Sequence, residues 1–242
     1  MALQRPGPAP ELTITMPPVV LDCDAVLFDM DGTLVDSRAL VERMWLRWAE
    51  RRGVSAEAIL AVAHGRRTLE TMQLVAPQFA TAEEAAQLDT EEEDEAREHG
   101  GETAVAGAAS LLHALPIARW AIVTSADAEI ARRRVAGVGL PVPRLLIGAA
   151  DVQVGKPDPE GYRQAARALG FEPARCVVVE DTPAGVQAGR AAGARVVGML
   201  TTYATLDDCD ALVLDLRSIQ VAPPDASGGL RLQIAAEGAR PT

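Results

Sequence analysis

Short apolar runs, each followed by a polar turn, recur along this chain. Ala25-Val26-Leu27-Phe28, Trp120-Ala121-Ile122-Val123, Leu145-Leu146-Ile147, Cys176-Val177-Val178-Val179, Arg195 to Met199 and Ala211 to Leu214 have the length and apolar content of buried strands. Helical patterns lie between them. One spans 107–115 and stops at Pro116, a second opens near Asp127, a third spans 159–169 ahead of Gly170, and a fourth spans 183–192 ahead of Gly193. Alternating strands and helices predict a parallel sheet with helices on both faces, a doubly wound α/β domain.

The stretch 36–103 breaks this rhythm. Ser37 is placed to cap a helix whose Val41, Met44, Trp45 and Trp48 share one face, and Gly53 ends it. Ser55 opens a second helix that closes at His64-Gly65. A third runs from Thr68 to Val75 and is stopped by Pro77. Thr81-Ala82-Glu83-Glu84 has the form of a capping box, and its helix runs to Gly100-Gly101. No strand pattern occurs here, so an all-helical module is expected, inserted after the first strand. Its acidic run Glu91 to Glu95 reads as a solvated helix face. The expected layout is a disordered leader (1–18), a core (19–35 and 104–221), a helical insert (36–103) and a tail (222–242). The first strand region is taken as Val19 to Asp29.

Composition narrows the function. Hydrophobic residues make up 48% of the 242 but aromatics only 3%, so Val, Leu and Ala must fill the core. A net charge of −11 argues against a general nucleic-acid or anionic-membrane binder. No apolar run reaches the ~18 residues of a membrane span. No secretory-type segment is evident near the N-terminus. Cys23, Cys176 and Cys209 are too few and too far apart for a disulfide framework or a zinc site. A cytoplasmic protein is expected, a monomer or homodimer. Twenty-two of the 23 basic side chains are arginine, and the exception is Lys156. A compact ammonium where a planar guanidinium would not fit explains such an exception.

The polar groups at the strand ends carry the chemistry. Asp29 and Asp31 follow the first strand, with Gly32 to turn the chain and Thr33 beside it. Two like charges so close favour a divalent cation nearby. Thr124-Ser125-Ala126 follow the second strand, where a hydroxyl and free N–H groups meet a helix N-terminus, a ready anion site. Lys156 lies on the loop after the weak strand near Ile147, and Glu180-Asp181 follow the strand at 176–179. Each alone reads as a helix cap or a surface charge. Together, at the ends of strands in one sheet, they describe a nucleophilic carboxylate, a cation site, a phosphate cradle and a neutralising ammonium.

This set resembles the haloacid dehalogenase (HAD) superfamily of phosphatases and phosphomutases. The four motifs are Phe28-Asp29-Met30-Asp31-Gly32-Thr33-Leu34-Val35-Asp36-Ser37, Thr124-Ser125-Ala126, Gly155-Lys156-Pro157 and Glu180-Asp181-Thr182-Pro183-Ala184-Gly185. The resemblance spans nearly all of Val19 to Val221 and implies a Rossmann-like HAD core with an all-helical cap domain. Three segments make the chain most similar to phosphatases of small sugar or polyol phosphates: His64-Gly65-Arg66-Arg67-Thr68, Trp120 to Ser125, and Cys209-Asp210.

The resemblance further implies roles. Asp29 attacks phosphorus to form an aspartyl-phosphate, and Asp31 protonates the leaving alkoxide and then activates water. Mg²⁺ is held by the Asp29 carboxylate, the Asp31 backbone carbonyl and Asp181, with Glu180 as a ligand or just behind them. Ser125 or Thr124, the Ala126 N–H and Lys156 hold the phosphate. The cap closes over the site, and His64, Arg66, Arg67 and Thr68 are the cap residues expected to reach the substrate, a small phosphorylated metabolite. A β-phosphoglucomutase would use the same core and return the phosphate to the sugar. A dehalogenase would need neither Asp31 nor a metal, a phosphonate-cleaving relative would need a cap lysine that is absent here, and a binding module would have no use for the intact acidic set.

Overall fold

The computed structural model describes residues 18–223 and 228–235. Residues 1–17 of the expected leader lie outside the described residues. The elements run β1 (Val19–Cys23), β2 (Ala25–Phe28), β3 (Val35–Asp36), α1 (Arg38–Arg52), α2 (Ala56–Ala63), α3 (Thr68–Val75), α4 (Ala82–His99) and β4 (Thr103–Ala104). They continue with α5 (Ala108–Ala114), β5 (Trp120–Val123), α6 (Ala128–Gly137), β6 (Leu146–Ile147), α7 (Glu160–Ala168), β7 (Cys176–Glu180) and α8 (Pro183–Ala192). Last come β8 (Arg195–Met199), β9 (Ala211–Val213), β10 (Ile219–Ala222) and β11 (Leu230–Ile234).

Six parallel strands form the main sheet in the order β6–β5–β2–β7–β8–β9. Side chains alternate between its two faces, and both faces are dry. Val26, Phe28, Trp120, Ile122, Val177 and Val179 enter one apolar cluster. Leu27, Ala121, Val123 and Val178 enter the other, with Tyr162 of α7. With β5 on one side of β2 and β7 on the other, the chain reverses direction across the sheet there. This is where such sheets open a crevice at their C-terminal edge.

Helices α1 to α4 surround a cluster of their own, centred on Met44, Trp45, Trp48, Ile59, Met72 and Leu88. Trp48 meets both Trp45 and Phe79 edge to face. The helix ends follow the expected turn chemistry. Gly53 is left-handed, Ser55 accepts from the Ala58 N–H, and Thr81 accepts from the Glu84 N–H. Only half of the expected capping box forms, because the Glu84 carboxylate pairs with Trp48 and Arg52 instead.

The structure departs from the sequence reading in four places. The segment taken as a single first strand is two: β1 and β2 belong to different sheets, with Asp24 between them. The strand set, expected to end at Leu214, continues: β10 is added, and the segment read as a tail contributes β11, which pairs antiparallel with β1 and β10. Leu230, Leu232 and Ile234 are buried there while Arg231 and Gln233 are not, a period of two that Leu-Arg-Leu-Gln-Ile does carry. The helical stretch is bounded by a strand pair, β3 with β4, which brings its entry and exit side by side. Two residues are too few to display a period. The acidic run is not a bare solvated face either: Glu91 pairs with Arg51, Glu95 with Arg43 and Arg47, and Glu93 with Arg97 and Arg133.

Candidate active site

The chain leaves β2 at Phe28 and turns at once. Gly32 adopts φ +78°, and a Cβ there would fall 2.0 Å from Asp181 Oδ2, so the turn brings the 29–33 loop directly against the end of β7. Asp29 is almost fully buried. Lys156 Nζ contacts Asp29 Oδ1 and lies 2.5 Å from Glu180 Oε1. The ring of Tyr162 lies beside the ammonium at 5.3 Å, and its hydroxyl donates to Glu180 Oε1 at 2.9 Å.

Glu180 is saturated. Its Oε2 accepts from the Asp181 and Thr182 N–H groups at 2.9 and 3.1 Å and from the Thr182 hydroxyl at 3.1 Å. Asp181 accepts from Thr33 at 3.2 Å and from Thr202.

The charge balance of this cluster is negative. Asp29, Glu180 and Asp181 offer carboxylate oxygens within 4.8 Å of one another, all buried. Lys156 is the one cation among them. Burial is the largest influence raising the Asp29 and Asp181 carboxyls above the usual range. Neighbouring carboxylates add to it and Lys156 opposes it. Burial works against charging Lys156, but Asp29 and Glu180 outweigh it and hold the ammonium charged. Three hard-oxygen groups with one neutralising charge fit a divalent cation. Glu180 is the most heavily bonded of the three, with five donors on its two oxygens.

At the end of β5, the Thr124 hydroxyl accepts from the Ala126 N–H at 3.1 Å, while the Ser125 hydroxyl donates to Gly65 O of the helical insert at 2.9 Å. Gly65 is itself pressed against Thr182, 2.4 Å from where its Cβ would lie. The insert thus seats its 64–67 loop directly on the core. Between the two lies a cavity of about 530 Å³, within the range of small-molecule sites. Asp29, Asp31, Thr124, Ser125 and Ala126 line its core side, and His64, Arg66, Arg67 and Thr68 its other side.

All the core residues expected from the motifs therefore converge. The four from the insert do so less uniformly. Arg67 donates to Val152 O at 3.0 Å and lies 3.7 Å from Glu70, which in turn accepts from the Gly155 N–H; this arginine ties the insert to the core loop. Arg66 reaches Lys156 O at 3.5 Å, and Thr68 donates to Asp89. His64 packs on Tyr203, and burial lowers its pKa, which favours the neutral ring. Ser37 occupies the N-cap position of α1 but does not cap it; its hydroxyl donates to Asp31 Oδ1 at 2.6 Å.

Sequence reasoning missed Tyr162, Thr202 and Arg134. Thr202 had a signal, since it follows β8 as one more polar group at a strand end. Tyr162 and Arg134 had none: one is a helical aromatic, the other the third of three consecutive arginines.

A buried carboxylate, ammonium and acidic pair at the C-terminal edge of a doubly wound sheet, roofed by a helical insert, define a class. The haloacid dehalogenase-like hydrolase family matches residues 23–193, and the chain belongs to it. It is an enzyme of the phosphoric monoester hydrolase class. Hexitol phosphatase A of Escherichia coli (strain K12) is 42% identical over 203 residues, 82% of this chain and 94% of that protein. Glycerol-1-phosphate phosphohydrolase 1 of Saccharomyces cerevisiae is 35% identical over 231 residues, 89% and 91% of the two chains. Among solved structures, a HAD family hydrolase of Deinococcus radiodurans R1 with bound phosphate and sodium is 30% identical. It superposes with a TM-score of 0.59 over 81% of this chain and 92% of its own. No helix among the described residues is long and apolar enough to cross a membrane.

Proposed function

We propose that this protein is a Mg²⁺-dependent phosphatase of a small sugar or polyol phosphate that works through an aspartyl-phosphate on Asp29. The observation that carries the reading is the placement of Asp29. It is buried, contacted by Lys156 on Oδ1, and open to a cavity large enough for a small phosphorylated polyol. The names of the relatives support the substrate class.

In the first half-reaction, an Asp29 oxygen forms a bond to phosphorus while the bond to the leaving oxygen breaks. Asp31 gives that oxygen its proton. In the second, Asp31 takes a proton from water, the water oxygen bonds to phosphorus, and Asp29 leaves as carboxylate. Lys156 keeps Asp29 oriented and balances charge near the phosphate. The Ser125 or Thr124 hydroxyl and the Ala126 N–H form the phosphate cradle. Asp29, Asp181 and the Asp31 carbonyl would hold Mg²⁺, which supplies charge neutralisation between carboxylate and phosphate. Residues 36–103 act as a cap that excludes bulk water. With Cys23, Cys176 and Cys209 all unpaired, the protein belongs in the cytoplasm.

The test is phosphate release from a panel of sugar and polyol phosphates with Mg²⁺, after EDTA, and with Asp29→Asn. Turnover should need the metal and should fall by several orders of magnitude in the variant. In H₂¹⁸O, the phosphate should acquire one labelled oxygen. Metal-independent turnover, or an active Asp29→Asn, refutes the mechanism. Conversion of a hexose 1-phosphate to its 6-phosphate without phosphate release refutes the phosphatase.

A further inference from the structure

Asp31 is gripped by one of its two carboxyl oxygens. Ser37 Oγ donates to Oδ1, and Arg134 Nη2 of α6 lies 2.9 Å from that same oxygen, an ion pair rather than an aligned hydrogen bond. No donor among the described residues is placed on Oδ2. The Arg134 side chain is only 10% exposed. Its guanidinium also contacts Glu102, just before β4, and lies 3.4 Å from Glu92 of α4. One arginine of the core thus joins the proposed acid/base to a helix of the insert and to the residue that precedes β4.

We infer that Arg134 is a positioning residue for Asp31, fixing the rotation of its carboxyl so that Oδ2 exchanges the proton, while Glu92 and Glu102 hold the guanidinium in place. The inference rests on the phosphatase reading above. A carboxyl that acts first as acid and then as base must stay put while it loses and regains a proton. Anchoring through Oδ1 serves both states, because that oxygen accepts in each of them. The guanidinium has donors only and does not deprotonate, so it cannot swap roles with the carboxyl. Its fork reaches three carboxylates at once, which a lysine could not do.

Leaving-group dependence separates this role from a structural one. The quantity kcat/KM reports steps up to departure of the leaving group. An alkyl phosphate needs an acid there, whereas 4-nitrophenyl phosphate, with its stable phenolate, does not. Both substrates are to be measured for wild type, Arg134→Gln and Asp31→Asn. We expect Arg134→Gln to lose on the order of 100-fold on the best polyol phosphate and less than about threefold on the aryl ester, parallel to Asp31→Asn.

An equal loss on both substrates in Arg134→Gln, with Asp31→Asn still selective, overturns the inference and leaves the phosphatase reading intact. It would mean that Arg134 binds phosphate or merely supports the fold. Unselective loss in Asp31→Asn overturns the acid role of Asp31, and the inference with it. Should circular dichroism show Arg134→Gln unfolded, the double variant Arg134→Gln/Glu102→Gln removes the stranded carboxylate, and the same ratio decides.

Discussion

Lys156 offers the sharpest test of the site's electrostatics. Its ammonium is wedged between Asp29 Oδ1 and Glu180 Oε1, with the Tyr162 ring on another side. A cavity of about 20 Å³ borders it. Replacing Lys156 by Met strands two buried carboxylates. Breaking a buried pair in this way costs about 3–5 kcal/mol, a large part of the ~5–15 kcal/mol that holds a domain together.

Lys156→Arg keeps the charge. Its stability loss should be closer to the ~1–3 kcal/mol of overpacking. Its rate should still collapse, because the planar head reaches past the ammonium position and must push Asp29 or the phosphate aside. A shift of about 1 Å at the reacting atoms costs on the order of 100-fold. The two variants should therefore separate in urea midpoint but not in activity: Met much less stable, Arg only modestly so, and both at least ~100-fold down in kcat/KM. Urea unfolding followed by circular dichroism, with kcat/KM on the best substrate, reads both quantities. Near wild-type turnover in Lys156→Arg would refute the wedge and reduce Lys156 to a bare positive charge.

Two further outcomes follow from the geometry. A Cβ at Gly185 would lie 1.7 Å from Glu180 Oε1, so Gly185→Ala should displace the Glu180 carboxylate and release Lys156. It should lower kcat far more than an alanine in a helix would suggest, and an unchanged kcat would show that the carboxylate relocates freely. The pH dependence of stability should run opposite to that of most acidic proteins. Burial raises Asp29 and Asp181 and pushes Glu92 up to about 7. A carboxyl raised on folding contributes fully below its unfolded value and loses that contribution as pH climbs through the folded one. Metal-free protein should then have a lower urea midpoint at pH 8 than at pH 5, with Mg²⁺ restoring more at pH 8. A midpoint in EDTA that rises between those values contradicts the sign.

What the sequence determined by itself is local. Helix stops at Gly53, Gly170 and Gly193, the capping roles of Ser55, Thr81 and Asp127, and the polar groups at the ends of β2, β5 and β7 all depend on neighbours within a few residues. They were legible for that reason, and the motif residues Asp29, Asp31, Lys156, Glu180 and Asp181 came with them. The tertiary structure decided how those groups are used. Ser37 has the sequence context of a helix cap, yet its hydroxyl serves Asp31. Glu180 has the sequence context of a metal ligand, yet five donors occupy it, and two of them come from Lys156 and Tyr162. Arg132, Arg133 and Arg134 are indistinguishable in a row, but the turn of α6 aims only the last at Asp31, Glu92 and Glu102. Those partners lie 32 to 103 positions away along the chain. No period or turn residue encodes such a distance; it is set by where the folded chain returns, and a buried charge takes whichever opposite charge that return places beside it.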